Sequence, residues 1–381
     1  MRHWITANAF AQRELAAAIS PNVANCTVSV TVKAGLSGDG LKLVFEEAYG
    51  KQAAKYREVT LRQGDKLYAV TVSGEKAFSV APGQRITTDP VDLCVKAGEE
   101  LTLYIAVGGS MSMSETSAEQ LHSGPGNFCN GGFEAVPYQN PLPGAPFNER
   151  LCGLKEILIH TADAAAIAAF GDSVTESAVW VNPLAERIAA LRPGTALLNL
   201  GIGGNRLLRD TNVPAMMGIN AFGKSGLSRL SSDVFELSGV KAVIFALGIN
   251  DIAQPGGPMG FSPPIGELCS VEELTAGIKS VVELCREKGL AVIGTTITPF
   301  KGYPSYSDTS AEIRNKTNAW IKSCGLFDYV IDFATLLSDP ADPETLAPGY
   351  GVGDGLHPNP MGGAAAVDKI NVEEMLKAIG M

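Results

Sequence analysis

Five short apolar runs in the second half of the chain place the strongest constraint on its fold. Each run is four to six residues long and mostly lacks polar alternation; the runs cover residues 167–170, 196–200, 242–247, 291–295 and 329–333. Strands that are buried on both faces, as in parallel sheets, have this composition. Helical patterns separate the runs, and the clearest begins at a capping box, Ser270 to Glu273, and ends at Gly289. Strands that alternate with helices predict an α/β fold, a three-layer α/β/α sandwich around a five-stranded parallel sheet.

The first 150 residues follow a different pattern, in which polar and apolar residues alternate. The alternating segments cover residues 27–33, 41–46, 66–73 and 101–107, with turns rich in Gly, Asp or Pro between them. Period-two segments at such short spacing predict an antiparallel β-sandwich, of jelly-roll type. Only residues 11–19 have a helical composition, and we expect residues 109–149, rich in Gly, Ser, Asn and Pro, to form a long ordered connection. The sequence therefore predicts two domains, a β-sandwich at 1–150 and an α/β domain at 151–381.

Composition and charge disfavour several classes of function. The chain has 381 residues, of which 45% are hydrophobic, and a net charge of −10 at pH 7. The negative charge disfavours nucleic acid and anionic membrane surfaces as partners, and no apolar run of about 18 residues is present to span a membrane. Four scattered histidines and seven cysteines without a CxxC pair predict no metal site and reduced, buried thiols in a cytoplasmic protein. The first residues lack a signal-peptide pattern, although a secreted protein trimmed of its leader would look the same.

Polar and glycine-rich blocks follow the predicted strands and precede the last helix, which we expect to start at about Pro360. In chain order the four blocks are residues 171–173, 199–206, 248–251 and 353–359. Because the carboxyl ends of parallel strands meet at one edge of a sheet, we expect the blocks to lie together. Each block alone has an ordinary explanation: a turn, a helix cap, or, at residues 201–204, a dinucleotide loop that lacks the full G-x-G-x-x-G motif. Together they supply a serine, a histidine and amide donors, which serine-dependent acyl transfer requires.

In order and spacing the four blocks resemble the GDSL/SGNH hydrolase superfamily, over about residues 165–375. Three short segments are most similar to the superfamily, at residues 203–208, 296–300 and 354–359. The N-terminal half is similar to the β-domain that precedes the catalytic domain in the acetyl-xylan-esterase-like branch of this superfamily. The resemblance implies a flavodoxin-like sheet, a catalytic domain at 151–381, an accessory domain at 1–150, and carboxylic ester hydrolysis that needs no cofactor.

The resemblance also implies a role for each polar group at the sheet edge. Ser173 would be the nucleophile, His357 the general base, and Asp354 the partner of the second imidazole nitrogen. The spacing of three residues lets Asp354 reach that nitrogen across a tight turn. The oxyanion hole would consist of the backbone N–H groups of Ser173 and Gly204 and the side-chain amide of Asn250. We expect two further acids, Asp172 and Asp251, to be structural and to bond nearby loop amides.

The substrate is the least defined part of the prediction. Asn205 and Arg206 follow the oxyanion loop and are candidate substrate-binding residues, although Arg206 could equally serve a structural ion pair. Residues 216–222 and 300–304 are expected to border the site, while Glu176 and Ser177 depart from the commonest family pattern and leave the floor of the acyl pocket undefined. We favour a short acyl group, acetyl above all, on a small-molecule or oligosaccharide ester. The alternatives are a lysophospholipase- or thioesterase-like hydrolase of longer chains, and a carbohydrate-binding protein on a hydrolase scaffold. The oligomeric state is left open.

Overall fold

The computed structural model describes residues 2–14, 23–24, 27–111, 151–211, 220–260 and 262–381. Its first part consists of β-strands. They are β1 (His3–Ala9), β2 (Val23–Ala24), β3 (Thr27–Lys33), β4 (Leu41–Glu46), β5 (Ala54–Gln63), β6 (Lys66–Val70), β7 (Phe78–Val80), β8 (Arg85–Thr87), β9 (Glu100–Val107), β10 (Ser110–Met111) and β11 (Leu154–Thr161).

Most of these strands form two antiparallel sheets that share one apolar core. One sheet has the order β1-β11-β4-β8, and the other has the order β3-β9-β5-β6 with β7 added beside β5. Alternate side chains of β3 and β4 point into the core; these are Val28, Val30, Val32, Leu41, Leu43 and Phe45. The alternation in the sequence thus marks the inward face of each strand, and the predicted β-sandwich is confirmed. Strands β3 and β4 have the predicted bounds.

Strand β11 lies beyond the predicted domain boundary at residues 150 and 151. It is nevertheless the second strand of the first antiparallel sheet, with Ile159 opposite Ile5 of β1 and Ile157 opposite Leu43 of β4. Because β11 has a hydrogen-bonded neighbour on each side, it belongs with the sandwich. We therefore propose that the boundary lies at residues 162–164, after β11, rather than at 150.

The helical composition of residues 11–19 does not produce a helix over the first four of them. The chain there is extended, with Phe10 N donating to Lys155 O at 2.9 Å and Glu14 N donating to Asn220 O at 3.1 Å. The backbone donors of this segment are used between distant parts of the chain, and this tertiary pairing overrides helical composition. Residues 15–19 and 112–149, to which the rest of the predicted helix and most of the expected connection belong, lie outside the described residues.

The second part of the chain alternates strands and helices. In order, its elements are β12 (Ala165–Gly171), α1 (Ser173–Glu176), α2 (Val181–Leu191), β13 (Thr195–Gly201), α3 (Gly226–Leu230), β14 (Val240–Ala246), α4 (Ile249–Ala253), α5 (Val271–Glu287), β15 (Ala291–Thr295), α6 (Asp308–Ser323), β16 (Tyr329–Ile331), α7 (Phe333–Leu336), β17 (Ser338–Asp339), β18 (Asp342–Leu346), α8 (Pro360–Asp368) and α9 (Val372–Ala378). A π-helical turn (Ser231–Phe235) follows α3, and a 3₁₀ turn (Ile265–Glu267) precedes α5.

Five of these strands form the predicted parallel sheet, in the order β13-β12-β14-β15-β16. The predicted strand at 291–295 has the same bounds as β15. On β12, Ala166, Ala168 and Phe170 face the core that is shared with the sandwich, whereas Ile167 and Ala169 face a second core beneath α2, α8 and α9. Burial on both faces explains why the five apolar runs lack polar alternation.

Helix caps fix the positions of two segments near the carboxyl edge of the sheet. Ser270 Oγ accepts a hydrogen bond from Glu273 N at 3.1 Å, and Glu273 Oε2 accepts one from Ser270 N at 2.8 Å, so the predicted capping box starts α5. Asn359 caps α8 by accepting from Gly362 N at 2.9 Å, and Pro360 is the first residue of that helix. The short connection before α8, which contains His357, is thereby held at its end.

The sandwich and the parallel sheet meet in a continuous junction. Thr6 N donates to Ser238 O at 3.0 Å, and Ser238 N donates to Thr6 Oγ1 at 2.9 Å. The buried Lys155 of β11 forms an ion pair with Asp233, with Nζ and Oδ1 2.6 Å apart. None of the helices in the described ranges is both long and apolar enough to cross a bilayer.

The described cysteines follow the expectation of buried free thiols only in part. Cys152, Cys269 and Cys285 are buried, and burial raises the pKa of both Cys269 and Cys285 to about 12. Cys94 is exposed, which contradicts the expectation, and Cys324 is half-buried.

Candidate active site

The serine that follows the first parallel strand meets a histidine from the far end of the chain. Strand β12 ends at Gly171, and Asp172 caps α1 by accepting a hydrogen bond from Val174 N at 3.0 Å. Ser173, the first residue of that helix, places its Oγ 2.8 Å from His357 Nε2. A hydroxyl at this distance from an imidazole nitrogen can pass its proton to that nitrogen.

Asp354 completes the arrangement on the other side of the imidazole. Its Oδ2 lies 2.5 Å from His357 Nδ1, and its Oδ1 accepts the backbone N–H groups of Leu356 and His357, each at 2.9 Å. Burial raises the pKa of Asp354, but the bond to His357, the charge of that residue and the two N–H donors outweigh it and lower the pKa to about 2. The carboxylate is therefore charged at neutral pH and holds Nδ1 in its protonated form.

The predicted oxyanion loop, which follows β13, contains a glycine that no other residue could replace without strain. Gly204 has a φ of 74°, and a Cβ at this position would lie 2.6 Å from the Phe222 ring. Among the described residues, no acceptor lies within hydrogen-bond distance of the backbone N–H of Gly204 or of Ser173. Both donors are therefore available to a ligand.

The third predicted donor, Asn250, is oriented by two neighbours. Its Nδ2 donates to Asn205 O at 3.1 Å, and its Oδ1 accepts from Gln254 Nε2 at 3.1 Å. A side-chain amide nitrogen carries two hydrogens, so the second remains for a ligand. Gln254, which sequence reasoning missed, also donates to Gly204 O at 2.8 Å and so ties Asn250 to the oxyanion loop.

The two acids expected to be structural have that role. Asp251 accepts from Leu207 N at 2.7 Å and from Leu208 N at 2.9 Å, and Asp172 caps α1 as described above. Both carboxyl groups are buried, and burial raises the pKa of Asp172 to about 7 and that of Asp251 to about 6, against the lowering effect of their hydrogen bonds.

The predicted substrate contacts of Asn205 and Arg206 are not supported by their surroundings. Both side chains are buried. Asn205 Nδ2 donates to Phe222 O and to Lys224 O, at 2.6 and 2.8 Å. Arg206 Nη1 pairs with Glu267 Oε2 at 2.7 Å, and its Nη2 donates to Asp210 O at 2.7 Å. These side chains brace the loop from within, so the ion-pair alternative for Arg206 is the one that the structure favours.

Arg229 of α3, another residue that sequence reasoning missed, holds the ends of two strands. Its guanidinium donates to four acceptors, at distances of 2.8 to 3.0 Å; they are Gly171 O, Leu200 O, Asn205 Oδ1 and Asp233 Oδ2. The group also lies over the Phe170 ring, 4.0 Å from its centroid. Because Gly171 leads into Ser173 and Leu200 leads into the loop of Gly204, Arg229 fixes the start of both from behind. Nothing in the sequence around it signals this role.

Two loops that were expected to border the site do so where they are described. The Tyr303 ring lies edge-on to the His357 ring, with centroids 6.4 Å apart. Phe222 packs against Gly204, whereas residues 216–219 lie outside the described residues. Glu176, one of the two residues that depart from the commonest family pattern, has a buried side chain. Its Oε2 accepts a hydrogen bond from Gly203 N at 2.6 Å.

The second part of the chain is similar to a known protein family. The model of the GDSL-like lipase/acylhydrolase family matches residues 169–365, a range that includes Ser173, Gly204, Asn250, Asp354 and His357. Among similar solved structures, a GDSL-like lipase from Bacteroides thetaiotaomicron VPI-5482 is 20% identical, with 55% of this chain and 89% of that chain covered and a TM-score of 0.40. A variant of an acetyl xylan esterase from Geobacillus stearothermophilus is 19% identical, with 57% of this chain and 94% of that chain covered and a TM-score of 0.39. No curated protein sequence matches the chain.

No metal-binding constellation occurs in the parts of the chain that the structure describes, since nowhere there do three or more His, Cys, Asp or Glu side chains converge as ligands would.

Proposed function

The chain belongs to the GDSL-like lipase/acylhydrolase family, and from this premise we propose that it is a serine esterase that removes short acyl groups, acetyl above all, from carbohydrates. It is a carboxylic ester hydrolase by family. The observation that carries the proposed mechanism is the line of contacts from Ser173 Oγ to His357 Nε2 and from His357 Nδ1 to Asp354 Oδ2.

The proposed reaction has two halves that use the same proton acceptor. Ser173 Oγ attacks the ester carbonyl carbon while His357 Nε2 takes the hydroxyl proton. As the tetrahedral intermediate collapses, the bond from the acyl carbon to the alcohol oxygen breaks and Nε2 returns the proton to that oxygen. Water then repeats the sequence on the acyl-enzyme and releases the carboxylic acid with Ser173 restored. Asp354 stabilises the imidazolium that forms in each half.

The negative charge of each tetrahedral intermediate is met by three proposed donors, the N–H groups of Ser173 and Gly204 and the amide of Asn250. Donors that are fixed in advance stabilise this charge without reorganisation, and one such donor typically contributes about 100- to 1,000-fold in rate. Gln254 and Arg229 support this proposal because their bonds restrain the loop and the amide that would act.

The proposal of a short acyl group rests on the resemblance to the acetyl-xylan-esterase-like branch, and Glu176 and Phe222 are both buried against the proposed oxyanion loop. Support for a sugar alcohol comes from the residues around His357. His357 would protonate the leaving alcohol, and the Tyr303 ring beside it offers an apolar face of the kind that lines small-molecule sites.

A series of p-nitrophenyl esters from acetate to palmitate tests the acyl preference. We expect kcat/KM to be highest for acetate and to fall as the chain lengthens. A preference for chains of eight or more carbons would favour the lysophospholipase- or thioesterase-like alternative instead. Acetate release from a set of acetylated glycans then identifies the alcohol.

The Ser173→Ala variant tests the nucleophile. We expect turnover to be abolished while the circular dichroism spectrum is unchanged. If the variant kept about a tenth of the parent activity, Ser173 could not be the nucleophile, and binding of acetylated glycans without turnover by the parent would favour the binding-protein alternative.

A further inference from the structure

A charged side chain from the N-terminal part of the chain reaches the oxyanion loop. Arg13 lies in the extended segment after β1, and its Nη2 is 3.6 Å from Glu176 Oε1. The two side chains are 15% and 4% exposed, so the pair is largely shielded from water. Neither residue belongs to the triad or to the set of proposed oxyanion donors.

The second oxygen of Glu176 holds the loop itself. Glu176 Oε2 accepts from Gly203 N at 2.6 Å, and Gly203 is the residue directly before Gly204. A Cβ on Gly203 would lie 2.6 Å from this oxygen and 3.5 Å from Arg13 Nη1, so both charged groups pack directly against the loop. The carboxylate therefore links Arg13 on one side to the backbone of the oxyanion loop on the other.

The charge of Arg13 matters because the carboxylate of Glu176 is buried. A buried carboxylate without a cation beside it is unfavourable, which favours movement of the side chain toward water. Such a movement would weaken the short bond to Gly203 N. Arg13 places a cation beside the carboxylate and so holds it at the loop.

The next residue, Glu14, restrains the other side of Gly204. Its Oε2 accepts from Asn220 Nδ2 at 3.1 Å and from Asn220 N at 3.3 Å. Phe222, two residues further on, is the side chain that packs on Gly204. Of these two consecutive residues, Arg13 thus contacts Glu176, and Glu14 contacts Asn220, two residues before Phe222.

We propose that Arg13 and Glu176 are positioning residues for the oxyanion hole, and that the β-sandwich part of the chain thereby contributes directly to catalysis. This inference rests on the proposed function, since it assigns the positioned group, the Gly204 N–H, to the oxyanion hole. It gives the N-terminal half a role in the chemistry in addition to any role in binding.

The full-length Arg13→Met variant tests the proposal with p-nitrophenyl acetate as substrate. We expect kcat, per active site titrated with a fluorophosphonate, to fall about tenfold while KM changes less than about twofold, because a donor displaced by a fraction of an ångström loses transition-state contact first. A trifluoromethyl ketone, whose adduct oxygen takes the place of the oxyanion, should bind more weakly by the same factor. Arg13→Lys should recover part of the loss.

Two further variants separate positioning from general structural damage. Glu236→Gln breaks the 2.7 Å pair between Arg85 and Glu236, another contact between the two parts of the chain, and should leave kcat unchanged. In a Glu176→Gln background, which removes the charge but keeps an acceptor oxygen, Arg13→Met should have no further effect.

The proposal is overturned if Arg13→Met keeps kcat within about twofold of the parent, or if kcat falls while ketone affinity is unchanged. It is also overturned if the effects of the two substitutions simply add. In each of these cases an inactive Ser173→Ala variant would leave the esterase proposal standing, whereas an active Ser173→Ala variant would refute both.

Discussion

Replacement of Arg229 by methionine is the perturbation whose cost follows most directly from the structure. The guanidinium is buried, makes four hydrogen bonds of 2.8 to 3.0 Å, and lies over the Phe170 ring. Methionine fills similar space but leaves Gly171 O, Leu200 O and Asn205 Oδ1 without this donor. Asp233 is not left alone, because Lys155 remains 2.6 Å from it.

The expected loss is about 3–5 kcal/mol of the free energy of unfolding. Removal of one partner from a buried, charged network typically costs this much, and Gly171 O keeps the N–H of Ile202 as a donor at 3.1 Å. The contribution of Lys155 keeps the estimate from exceeding that range. Since whole domains are stable by only about 5–15 kcal/mol, the effect is easily measured.

Arg286→Met is the matched control. Arg286 Nη2 also bonds one carboxylate and one carbonyl, those of Asp328 at 3.1 Å and Leu326 at 3.3 Å, but its side chain is 47% exposed. Exposed pairs of this kind contribute about 0–1 kcal/mol. The two variants therefore remove similar hydrogen bonds and ion pairs, one set buried and the other exposed to solvent.

Urea unfolding, followed by tryptophan fluorescence, gives both free energies. Under conditions in which Arg229→Met remains folded, kcat should also fall, because Gly171 and Leu200 lead into the proposed nucleophile and the proposed oxyanion loop. A loss of stability within about 1 kcal/mol of the Arg286 control would refute the reasoning from burial and hydrogen bonding.

Three further predictions concern the site. Asn250→Ala should lower kcat on p-nitrophenyl acetate about 100- to 1,000-fold with little change in KM; a loss below tenfold would remove Asn250 from the oxyanion hole. Because burial raises the pKa of Asp172 to about 7 in the folded chain, its carboxyl group favours folding below about pH 4 and this contribution is lost as the pH rises to about 7. Asp172→Asn, with the cap retained, should therefore flatten the decrease in unfolding free energy between pH 5 and pH 8, and an unchanged slope in urea titrations would contradict the assignment. The lowered pKa of Asp354, about 2, makes stability depend on pH in the opposite direction. Its contribution to the free energy of unfolding is present above about pH 4 and lost as the pH falls to 2. Asp354→Asn should abolish that acid-side loss and lower kcat roughly 10⁴-fold, and a variant with full activity at pH 7 would exclude Asp354 from the triad.

The sequence predicts those features of the fold that depend on local patterns. The buried strands are recognisable because both of their faces are apolar, as in residues 291–295, and the capping box at Ser270 is a local hydrogen-bond motif. Asp354 and His357 lie three residues apart, so their contact is local as well. Ser173 joins them because it follows directly after β12, at the edge of the parallel sheet where the connection that carries His357 also lies.

Features that depend on contacts between distant segments could not be predicted in this way. Strand β11 has a pattern that suits either domain, and only its pairing with β1, about 150 residues earlier, assigns it to the sandwich. Arg229 and Gln254 look like ordinary helical residues until the fold places them behind the oxyanion loop. For Arg206, the sequence left open substrate binding and a structural ion pair, and its burial beside Glu267 favours the ion pair.

The direct passage from β11 to β12 has a consequence for how such a chain can be recombined. Each of these strands has a neighbour on both sides in its own sheet, and only residues 162–164 separate them. A fragment that began at residue 151 would carry β11 without β1 and β4, while one that began at 165 would lack the whole sandwich and with it Lys155, the partner of Asp233. The sandwich is therefore not a detachable module, and a chimera that exchanges it between esterases must transfer β1, β4 and β11 together and rebuild the junction with the catalytic sheet.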